Sequence, residues 1–192
     1  MLTVNKRYSD RWQLQGNWVI SEDKSDDDNE RDPFTVRYAD LLDLESEYSR
    51  SDRHSRHRMN VFGLFDLPGG FQFTSLVQYR SANPTTGTDL IGQDVNNDGQ
   101  ANDRRYVNGR DVGRNQNEKD NKFFTVDMRV AKLFKLPRSQ SIEAIFEVFN
   151  LTNSENNIVS QISGGLLFDF NGTLRSGTGD PRQAQVGVRF RF

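Results

Sequence analysis

The stretch Asp94-x-Asn96-x-Asp98-Gly99 carries side-chain oxygens at alternate positions, followed by a glycine. That spacing matches the first half of a calcium loop, where oxygens at positions 1, 3 and 5 face a hard cation and the glycine makes the sharp turn. The helix-loop-helix version needs a bidentate glutamate at position 12, and Arg105 stands there. Asn102 and Asp103 would supply the missing oxygens, as in shorter calcium loops. The competing reading is an exposed turn, where Asn, Asp and Gly are favoured for backbone reasons alone. If calcium binds here, the expected role is to stiffen a loop rather than to catalyse.

Other reactive types are thinly placed. His54 and His57 stand three apart in S-D-R-H-S-R-H-R, a spacing that could share a metal on a helix, but they stand beside three arginines at the start of a strand. Arg104, Arg105, Arg110 and Arg114 would form an anion-attracting patch or a solvated surface. Glu143 and Glu147 imitate a glycosidase acid pair, but nothing around them builds a substrate cleft. No serine, histidine and acid arrangement stands out, nor any phosphate loop or zinc signature, so the chain is not expected to be an enzyme. It has no cysteine, which excludes disulfide scaffolds and thiolate metal sites. A net charge of -2 leaves no basic excess for nucleic acid.

The elements that must position these residues read as β-strands. In residues 182–192, Ala184, Val186, Val188, Phe190 and Phe192 alternate with Gln183, Gln185, Arg189 and Arg191, giving one apolar and one polar face. Similar alternation marks residues 2–9 (Leu2, Val4, Tyr8), 12–20 (Trp12, Leu14, Trp18, Ile20), 57–67, 71–80, 124–134 and 142–148. Ser9-Asp10-Arg11, Pro68-Gly69-Gly70 and Leu136-Pro137-Arg138-Ser139 are short turns. Residues 22–55, 81–122 and 150–180 are long polar connections, the first with a short helix expected near residues 38–44. The fold class is therefore all-β, an antiparallel up-and-down meander of about seven strands.

Connections that alternate short and long put every long loop at one end of the sheet, as in outer-membrane barrels with short periplasmic turns and long outer loops. Charges in the middle of strands (Asp127, Arg129, Glu143, Glu147) suit a wet face better than a dry core. The chain is expected to be a partial transmembrane β-barrel, with Trp12 and Trp18 at the aromatic girdles. A mean hydropathy of -0.78 does not oppose this, because half of each barrel strand is polar. Residues 1–8 show no secretory leader, so the chain is expected to be the C-terminal portion, over residues 1–192, of something longer.

The runs F-F-T-V-D-M-R-V-A-K-L-F-K-L (residues 123–136), I-E-A-I-F-E-V-F-N-L-T-N (142–153) and the terminal Q-V-G-V-R-F-R-F resemble the C-terminal end of TonB-dependent outer-membrane transporters. The likeness is to the branch carrying a carboxypeptidase-regulatory-like domain. R-H-R-M-N-V-F-G-L-F-D-L-P-G-G-F and D-V-N-N-D-G-Q-A-N-D-R are similar to that group too, so the likeness spans essentially the whole chain. The resemblance implies a barrel of about 22 strands with a plug inside it, located in the bacterial outer membrane. It also implies import of an iron chelate, cobalamin or glycan, energised by the TonB complex through an N-terminal part. The implied partners are lipid, the remaining barrel and plug, and the barrel-assembly machinery, which would read Val188, Phe190 and Phe192. Seven strands without a plug are not expected to transport alone. The alternative is a structural or adhesive cell-surface β-protein with calcium-stabilised loops.

Overall fold

The computed structural model describes residues 1–26, 38–40, 42–86, 93–99, 103–104, 106–107, 110–111, 113–157 and 179–192, with only the backbone of 106, 107, 110 and 111. Asn102 and Arg105 lie outside the described residues. Two compact units result, one from Met1–Ile20, His57–Ser81 and Asn121–Phe192, the other from Ser21–Arg56 and Ala82–Asp120.

The first unit is a seven-stranded antiparallel sheet. Its strands are β1 (Leu2–Ser9), β2 (Trp12–Ile20), β3 (His57–Leu67), β4 (Phe71–Arg80), β5 (Phe123–Lys135), β6 (Ser141–Phe149) and β7 (Gln183–Arg191). Each strand pairs with the next along the chain, so the sheet is the expected meander, with β1 and β7 at its edges. Short connections join strands at one end and the long ones leave from the other.

Turn chemistry sets the short end. Asp10 and Arg11, the two-residue link between β1 and β2, both take positive φ, as do Arg138 and Ser139 within the five-residue link between β5 and β6, a bend in the sense that matches strand twist. Between β3 and β4 the same work falls to Gly69 and Gly70, at φ +78° and +77°. A β-carbon on Gly70 would stand 3.1 Å from the Leu133 carbonyl oxygen, so this turn both needs φ > 0 and passes close to β5.

Register decides what each face shows. Val4 opposes Gly16, Gly16 opposes Val61, Val61 opposes Val77 and Val77 opposes Val126. Farther along, Val130 opposes Phe146 and Phe146 opposes Val186. Most apolar residues of the seven strands therefore share one face. Tyr8 departs from the expected alternation: a register shift between Lys6 and Ser9 frees it from the row, and its hydroxyl donates to the Asp66 carboxylate. The opposite face is mainly polar, with an apolar island where Phe62 opposes Leu76 and Ala131 opposes Ile145.

The second unit is built from connections. It holds three two-residue ladders, Lys24–Ser25 with Ser49–Arg50, Pro84–Thr85 with Asn117–Glu118, and Tyr106–Val107 with Arg110–Asp111. The helix expected at residues 38–44 is not there in the described residues; a single 3-10 turn spans Leu44–Glu47 instead. Asp43 caps it, accepting from the Ser46 amide at 3.3 Å. The reason is that Glu47 is drawn inward by polar partners while Leu42 and Leu44 stay exposed, so no buried apolar stripe holds a longer helix. Among the described residues no helix is long and apolar enough to cross a membrane.

Candidate functional site

Two surfaces and one loop cluster carry the residues singled out by sequence. The first surface is the apolar face of the sheet. Trp12 on β2 stacks on Phe65 of β3 with ring centroids 6.2 Å apart, and Phe65 meets Phe73 of β4 at 6.3 Å. Toward the long-connection end, Trp18 lies 5.8 Å from the His57 ring, and Tyr79 opposes Phe124. Aromatics thus mark both ends of this face. Two lysines interrupt it near the short turns. Lys6 Nζ sits 4.1 Å over the Trp12 ring and Lys132 Nζ 4.2 Å over Phe71, so each cation lies on an aromatic face. Lys6 Nζ also donates to the Ser9 carbonyl at 3.0 Å, and Lys132 Nζ donates to the Gly69 carbonyl. These polar ends lead the charge away from the apolar surface.

This face is not covered. Val186 and Val188 on β7 are 82% and 76% exposed, and Trp18, Phe71, Phe134 and Phe146 are exposed as well. Among the described residues the buried apolar side chains are small, Ala39, Pro84 and Ala131, while the largest fully buried ones also include Glu47, Asn115 and Asp103. The buried polar side chains belong to the connections, and the one buried side chain within the seven strands is Ala131. Of the terminal residues, Val188 opposes Ala144 and Phe190 opposes Ile142. The Phe190 and Phe192 rings stack at 5.9 Å, and Phe192 is 98% exposed.

The second surface is the polar face. Arg129 on β5 donates to Glu143 of β6 at 3.3 Å, and Arg189 of β7 donates to the same carboxylate at 3.1 Å. Glu147 accepts from Gln185 at 2.6 Å and stands 3.9 Å from Arg129. Both glutamates are thus spoken for by cross-strand partners, the geometry of a charge ladder; each such pair contributes ~0.2–1 kcal/mol. Asp127 has a different job, accepting from the Asn150 amide at 2.9 Å. Asn150, at φ +48°, donates from Nδ2 to the Ser154 carbonyl at 2.9 Å and to the Asp180 carbonyl at 3.0 Å. This gives the E-V-F-N-L-T-N run a structural reason: its first asparagine closes the connection after β6.

The loop cluster belongs to the second unit. Asp94 accepts from the Asp98 amide at 3.1 Å through Oδ1 and from the Gly99 amide at 3.0 Å through Oδ2. Asn96 Oδ1 accepts from the Asp98 amide at 2.9 Å. Asp103 is fully buried, and its Oδ2 accepts from the Val95 amide at 2.5 Å and the Asn96 amide at 3.0 Å. Its Oδ1 has no hydrogen-bond partner among the described residues. The fold therefore brings Asp94, Asn96, Asp98 and Asp103 around one turn. As they stand, no three acidic or histidine side chains among the described residues gather into a ready metal cage.

Sequence reading missed what anchors this cluster. Arg104 grips Glu47 bidentately, Nη1 to Oε2 and Nη2 to Oε1 both at 2.6 Å, and both residues are buried. Glu47 Oε1 also accepts from the Ala39 amide at 2.8 Å, and Asn96 Nδ2 donates to the Ala39 carbonyl at 2.7 Å. Glu47 lies in an acidic run with no pattern to betray it. Arg114 is buried and donates to the Ser25 carbonyl. The arginines at 104 and 114 are thus internal ties, neither an anion patch nor solvated surface.

The two histidines do not act as a pair, since neither lies in a helix. His54 is buried and its Nδ1 accepts from the Asp23 amide at 3.0 Å, while Asn83 Nδ2 donates to its carbonyl at 3.0 Å. Burial, with Arg50 and Arg56 nearby, holds its pKa below the ordinary imidazole value; Asp23 and Glu22 oppose that shift. Comparison with protein-family models, curated proteins and solved structures finds no match to this chain.

Proposed function

We propose that the seven strands form part of an outer-membrane β-barrel wall, with the apolar face toward lipid and the charged face toward a wet interior. The observation that carries this reading is the exposed apolar face: it spans seven strands uncovered, while the opposite face carries the charged and polar strand residues. Water makes so large an exposed apolar patch costly, and hydrocarbon does not. The dimensions agree. An 11-residue strand such as β3, tilted as barrel strands are, rises ~25–30 Å, against an apolar band of ~25 Å. Aromatics at both ends of the face and two lysines bent away from it suit the two interfaces.

Within that reading, the chain supplies the C-terminal strands of a TonB-dependent transporter in the bacterial outer membrane, importing an iron chelate, cobalamin or a glycan. The support for this finer assignment is the resemblance of residues 123–136, 142–153 and the terminal strand, together with the long connections at one end. Val188, Phe190 and Phe192 are the residues the assembly machinery would read. The plug, the other strands and the TonB complex complete the transporter, and the chain performs no catalysis.

The test uses the two tryptophans. The chain refolded into bilayers containing brominated lipid should show both Trp12 and Trp18 quenched, most strongly by bromines near the interfaces. A folded monomer in detergent-free buffer, with neither tryptophan quenched, would overturn the membrane reading and favour the cell-surface alternative.

A further inference from the structure

We propose that Asp94, Asn96, Asp98 and Asp103 form a calcium site, and that the ion locks this loop onto the segment between Ala39 and Glu47. The proposal stands whether or not the sheet lies in a membrane. Alternating oxygens before Gly99 are only a turn signal by themselves. What points to a ligand is Asp103. A fully buried carboxylate with one oxygen lacking a donor is expensive, because the desolvated charge is left half-compensated. Its other oxygen is clamped to the amides of Val95 and Asn96, which keeps the bare oxygen inside the loop rather than turned to solvent. The nearest neighbour in sequence that would neutralise it, Arg104, spends its guanidinium on Glu47.

A divalent cation answers that deficit. Asp94 and Asn96 each bring a side-chain oxygen to the same Asp98 amide, so the two oxygens lie side by side and each keeps a second lone pair for a cation. Carboxylates and an amide oxygen on an adaptable turn suit calcium, which accepts 6–8 oxygens in irregular geometry; magnesium demands a near-ideal octahedron. The consequence is mechanical. Asn96 is tied to the Ala39 carbonyl and Arg104, beside Asp103, to Glu47. Asn96 and Asp103 are already joined by one hydrogen bond; an ion shared between them would reinforce the ring through Ala39 and Glu47, whose ties to the loop span 57 positions in sequence.

The experiment is calcium titration of the full chain in detergent micelles, after chelator treatment, followed by calorimetry and by trypsin. One saturable calcium site is expected, with magnesium much weaker. Calcium should slow tryptic cleavage after Arg50, Arg53 and Arg104 by roughly tenfold, reversed by chelator. Asp103→Asn, which keeps the amide-accepting oxygen but removes the charge, should weaken calcium binding at least about tenfold, while Asp10→Asn in the first hairpin should not. Should Asp103→Asn fail to fold, the wild-type titration and its chelator reversal still decide. Absence of saturable binding at millimolar calcium, or unchanged affinity in a folded Asp103→Asn, would overturn the proposal.

Discussion

His54 accepts a hydrogen bond from a backbone amide through Nδ1, and only an imidazole unprotonated at that atom can do so. Its pKa is lowered in the fold, first by burial and then by Arg50 and Arg56. The sign follows: the unfolded chain takes up the proton at higher pH than the folded one, so this residue's contribution is complete above about 6.5 and is lost as pH falls toward the lower folded value. Exchange of the Asp23 amide should accelerate on acidification across that window. His54→Asn, whose side-chain oxygen replaces Nδ1 as acceptor, should remove the pH step. An imidazole resonance titrating above the ordinary value would refute the account. At this scale the sequence was least legible. A pair of histidines and a set of arginines look like ligands or surface when listed by type, but burial turns His54, Arg104 and Arg114 into internal ties, and one-dimensional spacing does not encode burial.

At the scale of elements, adjacent residues on β4 face opposite environments. Val77 lies in the row midway between the two aromatic ends, opposing Val61 and Val126, whereas Gln78 opposes Asn60 and Thr125. In lipid bilayers, Val77→Arg should cost ~2–4 kcal/mol of folding free energy, and Gln78→Arg much less. Urea-dependent folding into vesicles measures both, and equal costs would remove the distinction between faces. The strands themselves were readable almost to the residue, because period-two alternation is a direct print of the pleat. What alternation could not show was the register shift that diverts Tyr8, since a shift is a relation between two strands. The helix expected at residues 38–44 failed for a related reason. Glu47 and its distant partner Arg104 decide that backbone, and local propensity knows nothing of a partner 57 positions away.

At the scale of the molecule, each of the two units carries its own kind of probe. Both tryptophans of the chain, Trp12 and Trp18, belong to the sheet, while Arg50, Arg53 and Arg56 belong to the connections. Contacts within the second unit are short polar ties, which water and denaturant replace more readily than a paired strand ladder. In micelles, rising urea should expose those arginines to trypsin before tryptophan fluorescence changes; coincident transitions would show that the chain unfolds as one. Composition decides nothing at this scale, since a mean hydropathy of -0.78 is compatible with a protein that spreads its apolar side chains over one surface. Register also gives the molecule a parity. Because side chains repeat every two residues along a strand, inserting one residue within β4 would exchange the two faces from that point to the next turn, whereas inserting two would restore them. Length variation among such sheets should then come in even steps inside strands and in steps of any size within the long connections, so that the fold counts by twos where it is paired and not at all where it is not.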